Sequence, residues 1–174
     1  ELFEWEDGNV HEEDRTGMTV RLTQNGKVCV ADSNTPPNEI IGVVSVIYGF
    51  LGNDHWDEWH GKYVKDHLGR KVMEMVDYVS WDESNIRVSH RVGKIPQGVT
   101  VPESVEYFQH SEPKLNPDYD ETREYIPREK RTEWVAVGLI GRLRVLKKYP
   151  KSNGWIKMQD LDENVEEYLA VGTT

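Results

Sequence analysis

Four acids crowd the first seven residues, ELFEWED: Glu1, Glu4, Glu6 and Asp7 are interleaved with Leu2, Phe3 and Trp5. Paired carboxylates are what acid/base cleavage of an amide needs, one to activate a nucleophile and one with a raised pKa to protonate the leaving nitrogen. On an extended chain Leu2, Glu4 and Glu6 share one face and Phe3 and Trp5 the other. That pattern equally describes an amphipathic edge strand whose charged face protects it from aggregation.

Three other groupings could do chemistry. HEED (11–14) beside DGN (7–9) could hold a hard cation through carboxylate oxygens, but its spacing departs from the D-x-[DN]-x-[DN]-G loop. A solvated acidic turn is the simpler reading. His55, Trp56, Asp57, Glu58, Trp59 and His60 invite a metal, yet the two histidines are five apart. That interval fits neither a helix face nor strand alternation, and no second cluster supplies more ligands. A polar loop with two Trp folded onto the core is the competing interpretation. Cys29 stands alone with no activating base in view, which leaves it as an ordinary strand residue. No G-x-S-x-G elbow, G-x-G-x-x-G turn or GK[ST] phosphate loop occurs, and GLIGR (138–142) has two glycines inside a strand-like run.

The elements that must position these residues read as strands. TVRLTQNGKVCVAD (19–32) is two alternating runs around Asn25-Gly26, a pair suited to a type I′ hairpin turn. Val20, Leu22, Val28 and Val30 are expected on its buried face and Cys29 on the other. After SNTPPNE, a loop by its prolines, IIGVVSVIY (40–48) reads as a strand buried on both faces. GNDHWDEWHGKY (52–63) reads as a loop ending in a short strand. Residues 67–81 alternate as a strand, with a helix through 62–78 as the competing interpretation because Met, Glu and Lys favour it. Further strands are expected at 86–95, 98–108 and 134–146, and one or two more around the turn-like DEN (162–164). Residues 109–133 form a long, polar, Pro-punctuated arm of the kind that is usually functional. The sum is a mostly β, or β-dominant α+β, fold: a compact single domain over 1–174, with about eight strands and that arm.

Composition bounds the partners. The 174 residues carry a formal charge of −10 and a pI of about 5.1, which disfavours nucleic acid and anionic membrane surfaces. The longest apolar stretch, 40–52, is too short to span a bilayer. Six Trp and eight Tyr argue against disorder, and a single Cys excludes an internal disulfide.

Three segments in order carry a resemblance: FEWEDGN (3–9) with EDRTGMTVRL (13–22), then DEWHGKYVKDHLGR (57–70), then KLNPDYDETREYIPREKRTEWVAVGLIGRLRV (114–145). From Glu1 to about Val145 the chain resembles the C-terminal intramolecular-chaperone, autoproteolytic cleavage domains of bacteriophage neck-appendage and tailspike proteins, which are classed with peptidases that use acidic residues. The resemblance implies a domain that assists folding and homotrimerisation of the β-helical adhesin preceding it in the same precursor. It then cuts itself off in the host cytoplasm during phage assembly. It places Glu1 at the catalytic Glu, with the scissile bond and the partner acid upstream of residue 1. A start at Glu1 without an initiator Met then reads as a cut or a trimming. Some relatives bind ATP, which is the only cofactor the resemblance suggests, and no metal is expected. The arm 109–133 becomes a candidate for wrapping a neighbouring subunit. The rival reading is a structural or carbohydrate-receptor-binding β-domain of a phage fibre, with Trp56, Trp59 and Tyr63 stacking on sugars; a metal-dependent hydrolase is a third.

Overall fold

The computed structural model describes residues 1–53 and 61–171. They form an almost wholly β protein, with two 3-10 turns at Pro37–Glu39 and Arg128–Lys130 and eleven strands. Contacts divide the chain into two compact units: Glu1–Trp59 with Tyr125–Thr174, and His60–Glu124.

The first unit holds two antiparallel sheets. Five strands, β1 (Leu2–Glu4), β2 (Thr19–Leu22), β3 (Val28–Val30), β4 (Ile40–Val44) and β8 (Trp134–Gly138), lie in the order β1-β8-β4-β2-β3. Its two outer strands meet where Trp5 bridges Val28, so the sheet nearly closes on itself. Trp5, Val20, Val28, Val44 and Val137 fill the interior, with Phe3, Val30 and Ile41 packed against them. A three-stranded sheet, β9 (Gly141–Leu146), β10 (Trp155–Asp160) and β11 (Val165–Ala170), has β11 at its centre. Val43 of β4 packs with Leu143, Val145 and Ala170, which joins the two sheets. β-Branched side chains dominate the first cluster, as a pleated, two-sided burial favours.

Close backbone approach explains one residue of β4. A Cβ at Gly42 would stand 2.5 Å from both the Gly138 carbonyl oxygen and a Val137 methyl. Gly42→Ala should therefore cost about 3 kcal/mol in a denaturant melt, because backbone atoms cannot move aside as a side chain could. A Cβ at Gly138 would meet a Leu143 methyl at 2.8 Å, a side-chain neighbour that can give way more easily.

A buried charge cluster ties the second sheet together. Glu166 on β11 is 7 % exposed and meets Lys151 at 2.6 Å and Lys157 at 3.0 Å. Burial alone would raise its carboxyl pKa; the hydrogen bonds from the two ammoniums outweigh that and hold it below the ordinary range. Glu166→Gln is expected to cost roughly 1–3 kcal/mol, discounted because Lys157 is half-exposed. A depressed carboxylate contributes stability above its unfolded pKa and loses it as pH falls through the folded value. The difference between wild type and variant should thus be full at pH 7 and shrink as pH drops below about 4.

The second unit is a sheet in the order β6-β5-β7, built from β5 (Met73–Glu83), β6 (Ile86–Arg91) and β7 (Glu106–Pro113). Ser84 and Asn85 both have positive φ, 51° and 64°, the signature of a two-residue type I′ turn. Trp81 and Val79 are buried, and Arg91 bridges Glu74 and Glu112.

Several expectations need correction. The 19–32 hairpin forms, but only Gly26 of the Asn25-Gly26 pair has positive φ; its N–H bonds the Thr23 carbonyl, and Thr23 N bonds Lys27 O. The turn is therefore not type I′. Leu22 is 48 % exposed, because the β4 ladder pairs only Thr19 to Arg21 and stops short of it. The 40–48 strand ends at Val44, leaving Val46, Ile47 and Tyr48 exposed. The helix alternative over 62–78 gives way to β5, whose eight pairings with β7 no local propensity encodes. Residues 98–105 are not strand, and the arm's first five residues, 109–113, belong to β7. The 134–146 run divides at Leu139–Ile140 into β8 and β9, which enter different sheets. Two strands do flank 162–164: the Asp162 carboxylate accepts from Asn164 N and Val165 N at 2.7 Å each.

Candidate functional site

Glu1 extends β1 by one residue. Its N donates to Val137 O and its carbonyl accepts from Val137 N, both at 2.9 Å, a closely bonded antiparallel pair. The next pair, Leu2 and Ala136, leaves the Leu2 backbone groups pointing away from β8. Those are taken too: Leu2 N donates to Gly52 O, and the Asn53 side-chain amide donates to Leu2 O, each at 3.0 Å. Behind Asn53 stands Arg128, 6 % exposed, which donates to both the Asn53 carbonyl and its side-chain oxygen. The Arg128 guanidinium also lies 4.1 Å from the centroid of the Trp134 ring.

The exposed Glu1 side chain borders a cavity of about 550 Å³. Ile47, Phe50, Leu139, Ile140 and Leu143 supply its apolar walls, and among the described residues Arg142 is the one cation lining it. Phe50 and Ile140 are largely exposed there, at 86 % and 70 %. Among the described residues Glu1 is the single acid of this lining, so it offers a carboxyl for acid/base work beside an apolar surface. The described lining, one arginine opposite a carboxylate, is no cradle for a triphosphate, and the sequence carries no phosphate loop.

The other acids are elsewhere. Glu4 is paired with Lys27 at 2.7 Å, and Leu2, on the same face as Glu4, is buried rather than solvated. Asp7 and Glu13 both bond Arg15, whose guanidinium sits 4.6 Å from the Trp5 ring centroid. The Arg15 hydrogen bond holds Asp7 below the usual carboxylate range. Asn9 exchanges bonds with the Glu13 backbone, so DGN and HEED form one laced turn. Among the described residues no group of three His, Cys, Asp or Glu converges on a metal position. His55, Trp56, Asp57, Glu58, Trp59 and His60 lie outside the described residues. Tyr63 pairs with Leu115, and the ammoniums of Lys71 and Lys62 lie 4.7 and 5.5 Å from its ring centroid. Cys29 is half-buried in β3 and burial pushes its thiol up, away from nucleophile character.

Asn53 and Arg128 escaped the sequence reading. Arg128 falls inside the third resembling segment, but its bond to Asn53 spans 75 positions and has no local signature. The positive φ of Asn53, 57°, is the one hint its residue type carries, since Asn tolerates that region.

A family model described as Peptidase_G2, IMC autoproteolytic cleavage domain, matches residues 1–173. The preneck appendage protein of Bacillus phage PZA and the pre-neck appendage protein of Bacillus phage phi29 are each 32 % identical over 145 residues. The pre-neck appendage protein of Bacillus phage B103 is 33 % identical over 146. Each match covers 83 % of this chain and 13 % of the relative, so the chain spans a small part of those proteins. The crystal structure of the pre-mature bacteriophage phi29 gene product 12 aligns with a TM-score of 0.61 at 23 % identity, over 98 % of this chain and 21 % of that one. Its C-terminal fragment aligns at 0.57 and 23 %, over 98 % of both chains; at that identity the likeness speaks for the fold. With a model match over nearly every residue and relatives above 30 % identity, the chain belongs to the Peptidase_G2 family of IMC autoproteolytic cleavage domains.

Proposed function

We propose that residues 1–174 act as one C-terminal intramolecular chaperone of a homotrimeric phage appendage or tailspike. The domain promotes folding and trimerisation of the β-helical adhesin that precedes it in the precursor. It then releases itself by hydrolysing a peptide bond just upstream of residue 1, in the host cytoplasm during virion assembly. The observation that carries this reading is the placement of Glu1. Its backbone is held at the end of a sheet strand while its exposed carboxyl borders an apolar cavity. A chain continuing upstream from Glu1 would start at that cavity. The scissile peptide is thereby presented at high effective concentration, so no separate substrate pocket is required.

The chemistry is acid/base hydrolysis by an acidic-residue, glutamic-type mechanism. Water oxygen adds to the scissile carbonyl carbon, the C–N bond breaks, and a proton passes to the departing amine; Glu1 takes or delivers that proton. Because the substrate is part of the chain, each molecule turns over once. Trimerisation would supply register and local concentration to a slow-nucleating β-helix, and 114–133, the part of the arm left after β7, would contact a neighbouring subunit.

The test is a precursor extended by about ten native upstream residues, followed by mass spectrometry after folding. Spontaneous conversion to two products, at a rate constant independent of precursor concentration once assembled, is expected. A folded, assembled precursor that stays intact would sink the reading. A monomer in sedimentation at micromolar precursor concentration would remove the trimer from it.

A further inference from the structure

We propose that Asn53 and Arg128 are positioning residues for this self-cleavage, holding Glu1 in register through the backbone of Leu2; the inference rests on the autoproteolytic reading above. End residues of an outer strand ordinarily fray, because half their backbone groups face solvent. Here that half is occupied. Glu1 exchanges both backbone bonds with Val137, and Leu2 gives its N–H to Gly52 and receives the Asn53 amide. The four backbone groups of the residues bearing and following the acid are therefore all bound.

The clamp is itself built. Asn53 adopts left-handed φ, 57°, a conformation that Asn accepts better than most side chains. This turns its amide toward the Leu2 carbonyl. Arg128 fixes that rotamer by donating to the Asn53 side-chain oxygen at 3.0 Å while also holding the Asn53 carbonyl. Its guanidinium is buried against Trp134, and Trp134 is the β8 partner of Glu4. The chain of contacts thus returns to the strand pair that carries Glu1. None of these groups reaches the Glu1 carboxyl, so their effect is geometric. A shift of about 1 Å at a reacting group is enough to slow a step some 10²-fold.

Asn53→Gly in the precursor separates the parts, since glycine keeps the positive φ and loses the amide. We expect cleavage slowed by about tenfold to 10²-fold, with the melting temperature close to wild type. The pH–rate profile should be lowered throughout with its midpoint unchanged; a merely weakened fold would instead shift the acid limb along with unfolding. Arg128→Lys, which keeps charge but loses the guanidinium fork, should reproduce the loss and serves as the test if Asn53→Gly fails to fold. Hydrogen exchange should accelerate in residues 1–4 while Val20 and Val28 stay protected. Wild-type cleavage in the folded Asn53 or Arg128 variant, with Glu1→Gln inactive, overturns the clamp and leaves the catalytic reading standing. Wild-type cleavage in Glu1→Gln overturns both.

Discussion

Replacing Glu1 by Gln in the extended precursor should slow self-cleavage by about 10²–10⁴-fold, the usual contribution of a positioned general acid or base. Gln is nearly isosteric and retains hydrogen-bonding capacity, but it neither accepts nor delivers a proton at neutral pH. Both strand bonds at this position come from the backbone, to Val137 at 2.9 Å, so the substitution leaves the register intact. The side chain is exposed, which removes any large packing cost. Loss of activity without loss of fold is thus the expected pairing, read as the intact mass over time beside a circular-dichroism melt. Cleavage at the wild-type rate would show that Glu1 is not the acid. Glu4→Gln is the matched control: Glu4 is tied to Lys27 and does not line the cavity, so its removal should cost little rate.

Trp5→Ala should be the most damaging single change to stability, about 3–5 kcal/mol in a denaturant titration. Trp5 is 2 % exposed and sits in the cluster with Val20, Val28, Val44 and Val137. It also bridges Val28, donates its backbone N–H to Glu133 O at 2.7 Å, and underlies the Arg15 guanidinium. Removing the ring leaves a cavity inside a sheet that is nearly closed, where the flanking strands cannot collapse freely. Nearby Val10, 75 % exposed, should tolerate Ala with almost no change. A cost below about 1 kcal/mol for Trp5→Ala would mean that the ring is not the plug of this sheet. Because Trp5 follows β1 directly, the variant should also cleave slowly in the precursor.

Local pattern was enough wherever a strand's partner lies close in sequence or its burial is two-sided. The 19–32 hairpin, the start of the 40–48 run and the pair around 162–164 are all visible as alternation or β-branched runs, and the mostly β class follows from them. It failed where pairing is distant. β7 begins in a charged stretch and is a strand because β5 lies beside it. The continuous 134–146 run hides a break, because the chain leaves one sheet after Gly138 and enters another at Gly141, and the apolar Leu139 and Ile140 between them carry no turn signal. Leu22 looked buried because alternation reports a face but cannot report where a neighbouring strand stops.

The candidate site divides the same way. The three resembling segments are properties of the chain; they named the family, and only through it came the expectation that Glu1 serves self-cleavage. What holds Glu1 in place is not a property of any segment. Val137 bonds Glu1 across 136 positions, Asn53 holds Leu2 across 51 and Arg128 holds Asn53 across 75, through backbone groups, one side-chain amide and one buried guanidinium. Hydrogen bonds to the backbone place almost no demand on residue type at the accepting position. Such contacts come into existence only when the strands have closed around Trp5, which is why the tertiary structure alone decides them.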